Sequence, residues 1–258
     1  MSSIKEPHYF SAMPKDHRLR PIKDKRKYLN LFKDVTDEKI IGEASPSYLG
    51  DSEAPKLIHE LVPHAHILIS LRDPVERVFS SYLMKNREGG LHRSFNDELQ
   101  KAMDNKIDHT KPHLRLESDM YSENVKRYFD IFGREQVKVI IFEEFIKDAK
   151  GTVEEILRFL GLNQKLDNFE AEVHNPFAVA RGSVSQFIFR DSRIRGMAEK
   201  ILSPQQRKIL REKLLTKKQP KPKINQEDKK ILAKFYYDDV QKLKQLLERE
   251  LPWPNFKN

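Results

Sequence analysis

The sequence predicts an α/β protein: a parallel sheet with helices on its faces, followed by a helical C-terminal part. Two short apolar runs, Ile67–Leu71 and Val137–Phe142, have the length and β-branched content of strands. Each is followed by residues with helical periodicity. Strands that alternate with helices in this way are joined most simply by crossovers, which makes the sheet parallel. From Phe187 onward only helical spacing remains.

The first forty residues show no regular pattern and are basic, with Pro7, Pro14 and Pro21 spaced seven apart, as in an ordered loop layer. A helix is expected from Ser52, which stands ahead of Leu57, Ile58, Leu61 and Val62. Ile67–Leu71 lacks polar alternation and suits a strand buried on both faces. Arg72-Asp73-Pro74 then gives a strand–turn–helix junction, with Asp73 as N-cap and Pro74 at the first helical position. Ser94 is placed to cap a helix carrying Phe95, Leu99 and Met103. Ser122 is placed to cap one carrying Val125, Tyr128, Phe129 and Phe132, stopped by Gly133. After the second strand, Val153, Ile156, Leu157 and Leu160 mark an amphipathic helix that ends at Gly161. Asn163 to Ser183 is expected as a long loop, Phe187 to Ile201 and Pro204 to Leu215 as helices, and Thr216 to Lys223 as a basic linker. Gln226 to Arg249 makes the last helix. Residues 1–258 are expected to form one domain, a length that can bury a sizeable core.

Composition narrows the function. The chain has 48 basic and 39 acidic residues, a formal +9, and 34% charged residues. That excess favours anionic ligands such as nucleotide phosphates, acidic or sulfated substrates, or nucleic acid. With 38% hydrophobic residues, 15 Phe and 8 Tyr, it is not a disordered polyelectrolyte. The absence of cysteine excludes disulfides, thiolate metal sites and a cysteine nucleophile. No apolar stretch has the length of a membrane span and the first residues are not a signal peptide, so a cytoplasmic location without membrane attachment is expected. His64 and His66, and the scattered His8, His109 and His113, have no metal-ligand spacing and are expected as surface or strand-end residues, with no metal site.

The most informative stretch is His66 to Glu88. Ligands of open parallel sheets bind at the carboxyl ends of strands, which is where Arg72 stands. Its guanidinium can fork onto a phosphate beside the donors of a helix N-terminus. Ser80, two turns into that helix, lies on a compatible face. Taken alone, Arg-Asp-Pro fits better an Arg72 paired with Asp73 or Glu76, with Ser80 an ordinary small helix residue. Glu6 beside Lys5 can be a general base or a solvated ion pair. Glu43 can be a second base or a strand-end carboxylate with a structural partner.

The run Leu68-Ile69-Ser70-Leu71-Arg72-Asp73-Pro74-Val75-Glu76-Arg77-Val78-Phe79-Ser80-Ser81-Tyr82 resembles the 3′-phosphate-binding segment of sulfotransferases. These enzymes use 3′-phosphoadenosine 5′-phosphosulfate (PAPS); the heparan-sulfate-type and related prokaryotic members are the most similar. Lys5-Glu6-Pro7-His8-Tyr9-Phe10 is similar to the family's Lys-Glu-x-His-Phe/Tyr-Phe motif. Gly42-Glu43-Ala44-Ser45-Pro46-Ser47-Tyr48-Leu49 resembles the motif near the acceptor. Tyr121–Leu162 and Leu247–Trp253 resemble its later helix–strand–helix and C-terminal helix. The resemblance implies a P-loop-NTPase-like fold and transfer of a sulfuryl group from PAPS to a hydroxyl or amine. The acceptor it implies is a carbohydrate or small polar molecule, the product is adenosine 3′,5′-bisphosphate (PAP), and no metal is needed. It places the catalytic base on Glu6, the nucleotide contacts on Arg72, Ser80, Arg181 and Gly182, and substrate contacts on Lys5, Glu43 and Ser45. Basic loops at Lys15–Lys27 and Lys111–Arg115 would face an acidic acceptor.

The family's first strand and its glycine-rich phosphosulfate loop have no counterpart ahead of Lys5, and no Gly-x-x-x-x-Gly-Lys occurs in the sequence. The chain is therefore expected to be N-terminally incomplete, leaving its activity open. A truncated enzyme, a degenerate nucleotide binder, or a unit completed by a partner would each give this pattern. A non-catalytic anion- or nucleic-acid-binding protein is the alternative from a different class, resting on the basic residues from Lys208 to Lys223. Glu212 interrupts them and Glu227 and Asp228 follow shortly after, and no nucleic-acid partner is expected.

Overall fold

A computed structural model describes residues 1–12, 21–87, 93–104, 106, 113–167, 169–170, 178–180, 206, 216–218 and 220–257. Arg181 and Gly182 lie outside the described residues, as do the helices expected at Phe187–Ile201 and Pro204–Leu215. The chain divides into two units, each assembled from separated stretches. The first comprises Met1–Arg72, Met120–Glu170 and Asp238–Trp253; the second comprises Asp73–Asp119, Ala171–Tyr237 and Pro254–Asn258.

The first unit holds β1 (Ile67–Leu71) and β2 (Val137–Ile141). They pair in parallel, in register from Ile67 opposite Val137 to Leu71 opposite Ile141. Contrary to expectation, β1 is not buried on both faces: Ile69 and Leu71 are buried, whereas Leu68 and Ser70 are exposed. Its apolar run therefore overstated its burial. The same unit holds α1 (Lys25–Leu29), α2 (Ala54–Leu61), α5 (Ser122–Phe132), α6 (Phe142–Lys147) and α7 (Ala149–Phe159), of which α5, α6 and α7 pack on β2. The helix α6 takes the residue expected to end the second strand, Phe142. Ile58, Val125, Tyr128, Phe132, Val240, Leu243, Leu251 and Trp253 are buried in this unit. Trp253 directs its indole N–H to Glu143 Oε2 at 2.9 Å.

Two of the expected helix starts are corrected. In α2 the N-cap is Glu53, without a side-chain bond; the carboxylate that organises the approach is Asp51, whose Oδ1 accepts from Glu53 N at 3.0 Å. In α5, Ser122 is the first helical residue and not the cap. The amides of Tyr121 and Ser122 donate to Asp239 at 2.7 and 3.1 Å, and the Ser122 hydroxyl donates to the same carboxylate at 2.5 Å. A carboxylate at a helix N-terminus satisfies orphan amides and meets the positive end of the helix dipole. Gly133 closes α5 at φ 77 and Gly161 follows α7 at φ 76, as expected for left-handed stops.

In the second unit, α3 (Pro74–Arg87) begins as the sequence predicts. Asp73 Oδ1 accepts from Val75 N at 3.0 Å, and its other oxygen accepts from Asn255 Nδ2 at 2.8 Å. Ser94 caps α4 (Phe95–Met103), accepting from Asp97 N. A small antiparallel pair, β3 (Ala178–Ala180) with β4 (Thr216–Lys218), occupies positions expected as loop and linker. The long helix α8 (Gln226–Leu247) belongs to this unit through Tyr237 and to the first from Asp238. Val75, Val78, Phe79, Phe95, Leu99, Leu232, Tyr236 and Phe256 are buried here. No described helix is long and apolar enough to cross a membrane.

Candidate functional site

Glu6 and His8 both adopt positive φ, 56 and 50. Left-handed backbone at non-glycine residues costs about 1–3 kcal/mol each and persists only where the surroundings fix it. The surroundings here are explicit. The His8 amide donates to Ser45 Oγ at 3.0 Å, and its ring Nδ1 lies 2.7 Å from Ser47 Oγ. The Phe10 amide donates to the Tyr48 hydroxyl at 3.3 Å. Both of those hydroxyls donate onward to one carboxylate: Ser45 to Glu43 Oε2 at 3.0 Å, and Tyr48 to Glu43 Oε1 at 2.7 Å. Asp51 secures the following residues, accepting from Ser11 Oγ at 2.9 Å and Ala12 N at 2.6 Å.

Aromatic rings wall this network. Tyr9 stacks on Tyr28 at 4.2 Å between centroids, and Phe10 meets Tyr28 and Tyr48 edge-on. Burial pushes the Tyr28 phenol well above its ordinary value, with the Glu43 carboxylate adding to the effect. Burial does the same to Tyr48, reinforced by its bond to Glu43 and opposed by Ser45. Both phenols remain protonated donors throughout the neutral range.

Glu6 is placed differently from Glu43. Its carboxylate is 39% exposed, 3.5 Å from the Lys5 ammonium and 3.9 Å from His8 Nε2, while Lys5 itself is 88% exposed. Glu6 thus keeps access to an incoming hydroxyl, whereas both Glu43 oxygens are taken up by protein donors. Lys5, Glu6, Glu43 and Ser45 are brought together in the first unit. His8, expected at the surface, is buried with its ring held by Ser47, and Ser47 itself had not been singled out. The signal was present, since His8 and Ser47 both lie inside recognisable motifs. Their pairing across 39 residues has no trace in local spacing.

Arg72 follows Leu71 at the carboxyl end of β1. Its guanidinium carbon sits 5.0 Å from the centre of the Phe142 ring, and its Nε is 4.0 Å from Glu143. A guanidinium at a parallel strand end is a donor suited to a phosphate. Ser80 is half-buried in α3 of the second unit, a hydroxyl donor of the kind the same ligand class uses. The donor chemistry of each residue fits a phosphorylated nucleotide. Glu143 was missed by the sequence reading; it follows β2 immediately, and its carboxylate joins Arg72 to Trp253.

The sulfotransferase family model matches residues 2–166. The chain belongs to the sulfotransferase family. Carbohydrate sulfotransferase 15 of Rattus norvegicus is 25% identical over 166 residues, covering 51% of this chain and 29% of that protein. Heparan sulfate glucosamine 3-O-sulfotransferase 6 of Homo sapiens is 26% identical over 138 residues, covering 53% and 40% respectively. The chain therefore spans well under two thirds of the length of these curated relatives. A crystal structure of a sulfotransferase from Alicyclobacillus acidocaldarius matches with a TM-score of 0.69 and 28% identity, over 97% of this chain and 85% of that one. The fold is thus the P-loop-like α/β fold of a sulfotransferase, as the resemblance implied.

Proposed function

We propose that this sulfotransferase transfers a sulfuryl group from PAPS to a hydroxyl of a carbohydrate acceptor, with Glu6 as the general base. The observation that carries the reading is a half-exposed carboxylate, Glu6, fixed in a left-handed turn beside a buried imidazole. Family membership and the carbohydrate and heparan sulfate sulfotransferases among its relatives support the reaction class. In the reaction the acceptor oxygen bonds to sulfur, the bond from sulfur to the 5′-phosphate oxygen breaks, and PAP leaves with the electron pair. Sulfuryl transfer of this kind depends on positioning and charge stabilisation. Glu6 takes the acceptor proton as that oxygen attacks. The His8 ring lies beside it, with Nε2 3.9 Å from the carboxylate. Arg72 is assigned to the 3′-phosphate of the nucleotide; a cytoplasmic location is part of the same proposal.

Binding of PAP by calorimetry tests the nucleotide assignment. Loss of a charge-assisted hydrogen bond is worth about 1.5–3 kcal/mol, so Arg72→Ala is expected to weaken PAP about 10- to 100-fold. Unchanged affinity in that variant removes Arg72 from the site. Glu6→Gln is expected to abolish transfer while leaving PAP affinity intact. Salt-sensitive binding to unrelated DNA with no affinity for PAP favours the nucleic-acid reading instead.

A further inference from the structure

We infer that Glu43 is a positioning residue: through Ser45 and Tyr48 it holds the turn that carries Glu6, and it is not a ligand for the acceptor. The inference rests on the proposed role of Glu6 and assigns a task to the carboxylate beside it. Two relays start from Glu43. One runs from Oε2 to the Ser45 hydroxyl at 3.0 Å and on to the His8 amide at 3.0 Å. The other runs from Oε1 to the Tyr48 hydroxyl at 2.7 Å and on to the Phe10 amide at 3.3 Å. A hydroxyl can point its proton either way, and only a hydroxyl that donates elsewhere presents a lone pair to an amide. Because an ionised carboxylate only accepts, it forces both hydroxyls to donate toward it. Both therefore face the amides as acceptors. The amides they fix are His8, itself left-handed, and Phe10, which follows the turn. Tyr48 can serve in this way because a phenol is protonated at neutral pH, and burial only strengthens that state. Glu43 thus sets the direction of the bonds in both relays, although it lies 37 positions from Glu6 in sequence.

The test compares Glu43→Ala, Glu43→Gln, Ser45→Ala and Tyr48→Phe in the full chain. Amide hydrogen exchange, PAP affinity and sulfuryl transfer to a heparan sulfate oligosaccharide are measured for each. In Glu43→Ala, exchange at both the His8 and Phe10 amides is expected to accelerate about tenfold or more. Ser45→Ala should affect His8 alone, and Tyr48→Phe should affect Phe10 alone. The gentler Glu43→Gln retains one acceptor oxygen and should release one of the two amides. Misplacing a base by a fraction of an ångström should lower kcat about 10- to 100-fold with acceptor KM and PAP affinity unchanged. A raised KM at constant kcat would make Glu43 an acceptor ligand and overturn the inference, as would unaltered exchange in Glu43→Ala. Absence of transfer by the wild-type chain counts against the proposed function, and the exchange pattern still decides whether Glu43 holds the turn.

Discussion

Replacing Asp239 by alanine should destabilise the protein more than its position late in the chain suggests. The Asp239 carboxylate accepts three bonds, from the Tyr121 and Ser122 amides and the Ser122 hydroxyl. Tyr121 and Ser122 are 1% and 5% exposed, so little water can replace the lost acceptor. Hydrogen bonds to charged groups contribute about 1.5–3 kcal/mol each, and loss of a helix cap costs about 0.5–2 kcal/mol. These terms overlap, and partial relaxation reduces them, so the net loss should be about 3–5 kcal/mol. With an unfolding entropy of about 2.1 cal/mol/K per residue, that lowers Tm by about 6–9 °C. Urea titration and calorimetry measure both quantities. Asp239→Asn, which keeps one acceptor oxygen, should lose about half as much. An Asp239→Ala protein within about 0.5 kcal/mol of the parent would refute the assignment of Asp239 as the cap of α5.

Other expectations follow from the same framework. Trp253→Ala removes a fully buried ring and the bond to Glu143, and should cost about 3–5 kcal/mol in urea unfolding. Gly133→Ala places a Cβ at φ 77 and against the Glu135 carboxylate; a loss of about 1–2 kcal/mol is expected by thermal denaturation. Stability should also fall in alkali. Tyr28, Tyr48 and Tyr128 all have phenols raised above their ordinary value of 10.0, chiefly by burial. Above pH 10 the unfolded chain loses these protons while the folded chain keeps them, so stability is complete below pH 10 and declines above it. Each such phenol contributes a slope of up to about 1.4 kcal/mol per pH unit. Urea melts across that range should show Tyr128→Phe flattening the decline; an unchanged slope would contradict the burial effect.

Much of the fold was legible because its signals are local. Asp73 ahead of Pro74, Ser94 ahead of Phe95, and Gly133 after Phe132 each act within a few residues of where they stand. The parallel pairing of Ile67–Leu71 with Val137–Ile141 followed from apolar runs separated by a helical pattern. What failed was set by distance along the chain. Ser122 looked like a cap because serine commonly is one; the acceptor arrives 117 positions later in Asp239. Thr216–Lys218 looked like a basic linker because lysines hide a strand whose partner lies at Ala178–Ala180. In the candidate site, Glu6 and Glu43 were legible as candidate carboxylates because both lie inside recognisable motifs. The difference between them in donor supply was not, because it depends on how the Ser45 and Tyr48 hydroxyls turn toward Glu43 in the folded chain.

The composition of the two units from interleaved stretches bears on synthesis and proteolysis. The parallel strands of the first unit are both made by Ile141, yet Asp239 and the buried Trp253 come from Asp238–Trp253. The second unit takes Phe256, 2% exposed, from the segment after that. A nascent chain cannot finish either unit until residues 238–256 have left the ribosome, so until then apolar surface in both stays uncovered. A single cut between Leu247 and Trp253 in the mature chain would, for the same reason, detach core side chains from both units at once.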